Sequence, residues 1–146
     1  MIVKIHPSTS VLAEYQSIIN PIDPSIRVYQ HGSIEEFLDN ADLMISFQSS
    51  TAEVYALLTR KPVIICNYFN LQKDAFLERE LAIECKDSSH LLESIHKALE
   101  NPPSEQKREA FIKEFMYMGD GRATERICDT IMNLIKNKHD TKNKLD

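Results

Sequence analysis

Two apolar runs with a polar, helix-forming segment between them constrain the fold more than any other feature. Residues 42–47 read DLMISF and residues 62–67 read PVIICN. Near-continuous apolar runs of this length are typical of strands that are covered on both faces of a parallel sheet. The segment 50–59 reads as a helix, and a helical crossover is the usual way to join two parallel strands.

The same alternation of strand and helix continues over the first part of the chain and then stops. Further strands are predicted at 2–5, 26–29 and 82–85, and further helices at 8–20 and 34–40. This order predicts an α/β fold with a Rossmann-like parallel sheet of about five strands and helices on both faces. After residue 86 the pattern predicts only helices, at 88–100, 104–118 and 122–136, which form a helical C-terminal tail. We expect one domain over 1–138 and a polar tail over 139–146.

Composition excludes several classes of function. The formal net charge is -5, which argues against binding to duplex nucleic acid, since that needs a concentrated basic face. The chain has only three glycines, so neither a GxGxxG fingerprint nor a Walker loop is present. Any phosphate site must therefore be built from other groups.

Cysteine usage and hydropathy bear on location. The three cysteines, Cys66, Cys85 and Cys128, are widely spaced and form no CxxC pair, so neither a disulfide framework nor a zinc site is indicated. No apolar run approaches the roughly 20 residues that span a bilayer, and the first residues lack the pattern of a signal peptide. We expect a cytoplasmic protein without a transmembrane segment, and peripheral association with a membrane stays open.

Hydroxyl side chains follow the run 42–47 at the predicted start of the next helix. Ser49, Ser50 and Thr51 lie where a parallel strand ends, which is where open α/β sheets bind ligands. A helix N-terminus offers N–H groups and a partial positive charge to a phosphate. However, Ser50 and Glu53 also have the spacing of a capping box, which satisfies those N–H groups internally. The sequence leaves both interpretations open.

Two other strand ends would share that edge of the sheet. His6 follows the first strand, and the segment His31-Gly32-Ser33 follows the second. A histidine there could donate to a phosphate or act as an acid or base, although a capping or packing histidine and an ordinary turn are the plainer alternatives. Asp120 is a predicted cap of the last helix, and Arg122 and Arg126 are either solvated or bound to a phosphate or a partner.

Three stretches carry a resemblance to a known group of proteins. They are VKIHP at 3–7, ADLMISFQSSTAEVYALLTRKPVII at 41–65 and DGRATERICDTI at 120–131. The chain resembles the C-terminal nucleotide-sugar-binding domain of two-Rossmann-domain (B fold) glycosyltransferases. It is also similar to non-hydrolysing UDP-N-acetylglucosamine 2-epimerases and to capsule and teichoic-acid-type transferases that use CDP-glycerol.

The resemblance implies a set of nucleotide- and phosphate-binding residues. The Ser-rich turn, Ser49 to Thr51, would hold the donor's diphosphate, and His6 would lie near the phosphates or the transferred group as a catalytic candidate. The loop after the second strand would contact the base through Tyr29, Gln30, His31, Gly32 and Ser33. An acid that usually binds the ribose falls at Tyr55, and the nearest carboxylate is Glu53, so both residues are included in the predicted site. No metal and no cofactor besides the nucleotide-diphosphate donor is expected.

The resemblance also implies a function and its partners. It predicts the donor-binding domain of a glycosyltransferase-like enzyme in surface polysaccharide synthesis, with a nucleotide diphosphate-sugar or CDP-glycerol as ligand. An N-terminal acceptor domain or a partner chain would supply the other half of the cleft. Two alternatives remain: half of a nucleotide-sugar epimerase, or a non-catalytic nucleotide-binding or docking module.

Overall fold

The computed structural model describes residues 1–8, 11–47, 49–117 and 119–142, with side chains described as far as residue 136. The chain divides into two compact units, Met1–Pro102 and a second that begins at Pro103. All the residues predicted for the ligand site belong to the first unit. The domain boundary at residue 138 stays a prediction.

The first unit contains the predicted parallel strands. They are β1 (Ile2–Lys4), β2 (Arg27–Tyr29), β3 (Met44–Ser46), β4 (Val63–Cys66) and β5 (Ile83–Cys85). All pairings are parallel, with Val3 opposite Val28 and Ile45 opposite Ile64. The strands form two hydrogen-bonded ladders, β1-β2 and β3-β4-β5, where the sequence predicted one sheet of about five strands. The α/β class with a Rossmann-like parallel arrangement is confirmed.

Helices follow the strands along the first unit. They are α1 (Leu12–Ile19), α2 (Ile34–Asp39), α3 (Ser50–Leu58), α4 (Ala75–Glu78) and α5 (Leu91–Glu100), with a 3-10 turn at Ser88–His90 before α5. Sequence reasoning missed α4, because four residues are too few to show a helical period. The available signal was Asp74, whose Oδ1 caps α4 by accepting from the N–H groups of Phe76 and Leu77. Residues 9 and 10 of the predicted first helix lie outside the described residues.

The core of the first unit is built on β4. All four of its residues are buried, as expected for the run PVIICN. Ile64 and Cys66 pack with Cys85 of β5 and Ala98 of α5, so a strand pair and a helix share one apolar layer. Burial of that layer keeps the carboxyl ends of β4 and β5 in register, which positions the loops that follow them.

The prediction that β3 is covered on both faces is wrong. Ile45 is 37% exposed and Phe47, just past the strand, is 67% exposed. β3 is an edge strand of its ladder, and Ser46 faces the side on which α3 packs. Because successive side chains alternate between faces, Ile45 lies on the opposite, open side.

The second unit is helical, as predicted. It contains α6 (Glu105–Phe115) and α7 (Ala123–Lys142). The predicted helix over 122–136 continues to Lys142, into the segment expected to be a polar tail. Met118, the predicted end of the preceding helix, lies outside the described residues. No helix in the described ranges has the length and apolar character needed to cross a membrane.

Candidate functional site: the turn at the start of helix α3

The turn between β3 and α3 presents hydroxyl groups to solvent. Ser49 is the N-cap of α3, and Ser49, Ser50 and Thr51 are all exposed. Within the described part of the chain, the Ser49 side chain makes no cap hydrogen bond. The Ser50–Glu53 capping box, one of the two interpretations that the sequence left open, is not formed, because the helix begins at Ser50 and its N-cap is Ser49. The hydroxyls therefore lie beside the first turn of the helix, whose first N–H groups have no acceptor within the helix.

Glu53 secures this turn from the inside. It is only 1% exposed, and its Oε1 accepts from the Ser46 hydroxyl at 2.8 Å and from the Ser49 N–H at 2.8 Å. The Ser49 N–H also donates to the Ser46 Oγ at 3.0 Å. Glu53 was predicted among the ligand-binding residues, but its carboxyl group is used within the protein. It connects the end of β3 to the cap of α3.

A second carboxyl group lies against Glu53. Asp74, the cap of α4, interacts with Glu53 by charge and by a side-chain hydrogen bond. Burial raises the pKa of Glu53, the hydrogen bonds from Ser46 and Ser49 oppose that rise, and Asp74 adds to it. Glu53 therefore binds a proton at higher pH than an ordinary glutamate does.

The first ladder carries His6 at the carboxyl end of β1. His6 is exposed, and its Nδ1 accepts from the N–H of Ser8 at 3.2 Å and lies 2.7 Å from the Ser8 Oγ. An Nδ1 that accepts a hydrogen bond places the proton of the neutral ring on Nε2. His6 in this tautomer can therefore donate its Nε2–H in a hydrogen bond to an anion.

The loops after β1 and β2 are bound to each other. The Gln30 side chain donates to the Pro7 carbonyl at 3.2 Å, and the Lys4 ammonium donates to the carbonyls of Ile5 and Gln30 at 2.8 and 2.9 Å. These bonds bring His6 and the loop at Gln30–Ser33 to one edge of the first ladder, and a common edge with the turn at 49–51 stays a prediction. Whether that loop contacts a base stays a prediction.

Local geometry explains the residues of the loop after β2. Gly32 has φ +110°, and a Cβ there would come within 2.9 Å of the Phe37 ring, so the position requires glycine. The Phe37 ring also packs on half-buried Tyr29, with centroids 5.0 Å apart. Ser33 caps α2 by accepting from the Glu35 N–H at 3.2 Å. His31 is exposed at the tip of the loop.

A hydrogen bond between Tyr55 and Glu35 links two helices. These are α2, which follows the first ladder, and α3, which lies between strands β3 and β4 of the second. Tyr55 is on α3 and Glu35 is in the first turn of α2. The Ser33 hydroxyl, the backbone and the Tyr55 phenol all bond the Glu35 carboxylate and lower its pKa, and the same contact raises the pKa of Tyr55. A carboxylate is therefore present beside Tyr55, but it comes from another element. No local sequence pattern indicates this pairing, because it joins residues that are distant in the chain.

Sequence reasoning also missed the loop after β4. Asn67 is 2% exposed, and its side chain donates to the Leu71 carbonyl at 3.0 Å and to Glu84 Oε1 at 2.8 Å. Its Oδ1 accepts from the Leu71 N–H at 2.7 Å. These three bonds close a compact loop just before Asp74. The available signal in the sequence was an asparagine directly after an apolar strand.

The charged residues at the start of α7 are engaged with each other. Arg126 forms a two-oxygen ion pair with Asp120 at 2.9 and 2.8 Å and lies 5.0 Å from the centre of the Tyr117 ring. Arg122 pairs with Glu125 at 2.7 and 3.0 Å, and the Asp120 carboxylate accepts from the Arg122 N–H as a cap. The second unit thus uses both arginines internally. Its open groove of about 830 Å³, lined in part by Phe115 and Ile131, contains none of the predicted ligand residues.

The described structure thus contains two groups of predicted site residues. His6 and the loop over 29–33 form the first, and the turn over 49–51 with Glu53 forms the second. The Tyr55–Glu35 contact runs between the helices that follow them. Among the described residues, no group of three or more His, Cys, Asp or Glu side chains is placed to hold a metal ion.

The fold is that of an α/β domain with a Rossmann-like parallel arrangement of strands. Comparison with family models gives the particular family: the chain matches CDP-Glycerol:Poly(glycerophosphate) glycerophosphotransferase over residues 1–133. Because this match covers most of the 146 residues, the chain belongs to that family. No curated protein and no solved structure matches it.

Proposed function

We propose that this chain binds the nucleotide diphosphate of CDP-glycerol as the donor domain of a glycerophosphotransferase in surface polysaccharide synthesis. The observation that carries the proposal is the exposed turn of Ser49, Ser50 and Thr51 at the start of α3, where the Ser49 side chain makes no cap hydrogen bond among the described residues. Helix N–H groups and hydroxyls are suitable donors to a diphosphate. The family match supports CDP-glycerol over a nucleotide sugar as the ligand.

The proposed chemistry is a phosphoryl transfer. The acceptor hydroxyl bonds to the phosphorus that carries glycerol, the bond from that phosphorus to an oxygen of CMP breaks, and the hydroxyl proton passes to a base. Negative charge grows on the departing CMP. The turn donates hydrogen bonds to the phosphate oxygens that take up this charge, which is an electrostatic contribution.

His6 and the loop after β2 complete the proposed donor site. The Nε2–H of His6 would donate to a phosphate oxygen. The protonated imidazolium form of His6 would be the candidate general acid. Tyr29 to Ser33 would contact the base, and the Tyr55–Glu35 pair would lie toward the ribose. We assign acceptor binding to a further domain or a partner chain. In this proposal the donor occupies the edge of each ladder at which the strands end, so the acceptor must bind elsewhere.

A double substitution tests the turn directly. Ser50→Ala with Thr51→Ala should weaken CDP-glycerol binding by about 100-fold or more, because the two lost hydrogen bonds to a charged group each contribute about 1.5–3 kcal/mol. Some binding should persist, because the helix N–H groups remain. Isothermal titration calorimetry measures the affinity, and Ser17→Ala on α1 is the matched control. Unchanged affinity in a folded double variant would remove the turn from the site.

A further inference from the structure

Glu53 occupies an unusual position for an acidic side chain. It is almost wholly buried on the first turns of α3, and its Oε1 receives both the Ser46 hydroxyl and the Ser49 N–H. Those two donors fix the turn that presents Ser50 and Thr51. The state of the Glu53 carboxyl therefore acts directly on the proposed phosphate-binding turn.

Asp74 is the titratable group that faces Glu53 from outside its own helix. It is held in place by two bonds from the backbone of α4, each 3.0 Å long. The other groups that bond Glu53, namely Ser46 and Ser49, carry no charge. A carboxylate at Glu53 would be buried beside a second carboxylate, whereas a protonated carboxyl could donate to Asp74.

We propose that Glu53 is a positioning residue that acts in its protonated form, and that this proton strengthens anion binding at the turn. Oε1 accepts from Ser46 and Ser49, and the proton on the other oxygen bonds Asp74. Loss of that proton puts a negative charge directly behind Ser49, where it repels the diphosphate. The proposal rests on the proposed function, because it concerns regulation of the same site.

The expected consequence is coupling between pH and affinity. An anion favours the protonated form of a nearby acid, so ligand binding should take up a proton. Affinity should fall by about tenfold as the pH rises and Glu53 ionises, because the repulsion between the new charge and the diphosphate is partly screened near the protein surface.

Glu53→Gln separates this role from a merely structural one. Glutamine keeps the accepting oxygen and supplies an N–H to Asp74, so it mimics the protonated state without titrating. CDP-glycerol affinity is measured by calorimetry from about pH 5 to about pH 8.5. Affinity of the parent should fall with pH, that of Glu53→Gln should stay at its acidic value, and exposed Glu78→Gln should follow the parent. The same fall in Glu53→Gln as in the parent would overturn the proposal.

Unfolding without ligand tests the proton independently. A native pKa above the ordinary 4.5 means that the folded state keeps a proton that the unfolded state has lost. The contribution of Glu53 to stability therefore declines as pH rises from 4.5 to its raised native pKa, and Glu53→Gln should lack that decline. The same dependence of the free energy of unfolding on pH in the parent and in Glu53→Gln, measured with urea, would contradict a protonated Glu53. Absence of CDP-glycerol binding at every pH would instead overturn the donor proposal and the coupling with it.

Discussion

Glu53→Ala is expected to lower the free energy of unfolding by about 2–4 kcal/mol. The substitution empties a site that is 1% exposed and leaves the Ser46 hydroxyl without its 2.8 Å acceptor. The Ser49 N–H keeps only the 3.0 Å bond to the Ser46 Oγ. Asp74 also loses its hydrogen bond to Glu53, so the effect of the substitution should extend from the end of β3 to the start of α4.

Urea unfolding at fixed pH measures this loss, with Glu53→Gln as the matched control. Glutamine retains the oxygen that serves Ser46 and Ser49, so its cost should stay below about 1 kcal/mol. Equal losses for alanine and glutamine would show that the charge, and not the shared oxygen, stabilises the turn. A loss below about 0.5 kcal/mol for alanine would contradict the role given to Glu53.

Asn67→Ala is expected to cost about 2–4 kcal/mol and to loosen the loop that follows β4. Alanine removes two donor bonds and one acceptor bond, and it leaves the Leu71 N–H and carbonyl without the side chain that pairs them. Glu84 loses its bond from Asn67, although Lys73 remains 3.4 Å away. The loop leads directly to Asp74, so its order also affects the environment of Glu53.

Hydrogen exchange of the backbone over 67–74, with urea unfolding, checks this prediction. Asn101→Ala is the control, because that exposed side chain makes a single long bond of 3.5 Å to Lys97. Faster exchange confined to the loop would agree with the account. Unchanged exchange and stability in Asn67→Ala would show that the three bonds do not hold the loop.

The sequence predicted most of the scaffold because short-range patterns specify it. Apolar runs placed β3 and β4, and turn residues placed the loop at Gly32. Alternation of strand and helix predicted the parallel pairing. Two predictions were wrong. The strand β3 was expected to be covered on both faces, but Ile45 lies on an exposed face, and the last helix was expected to end at residue 136, but α7 continues to Lys142. The exposure of a strand face depends on which elements pack against it. The local pattern of apolar residues carries no information about that packing.

The interior of the site could not be predicted for a different reason. Its contacts join residues that are distant in the chain, such as Tyr55 with Glu35 and Glu53 with Asp74. The spacing of Ser50 and Glu53 suggested a capping box, but the helix starts one residue earlier than that motif requires. Glu53 then reaches the N–H of Ser49, and the serine hydroxyls stay available at the surface.

A thermal-shift series with CDP-glycerol, CMP and UDP-N-acetylglucosamine tests the central claim most directly. A ligand at about 100 times its dissociation constant adds about 2.7 kcal/mol to the folded state, which is readily visible as a rise in Tm. The account predicts a clear rise with CDP-glycerol, a smaller one with CMP and none with the uridine ligand. No rise with CDP-glycerol, or a larger rise with UDP-N-acetylglucosamine, would contradict it.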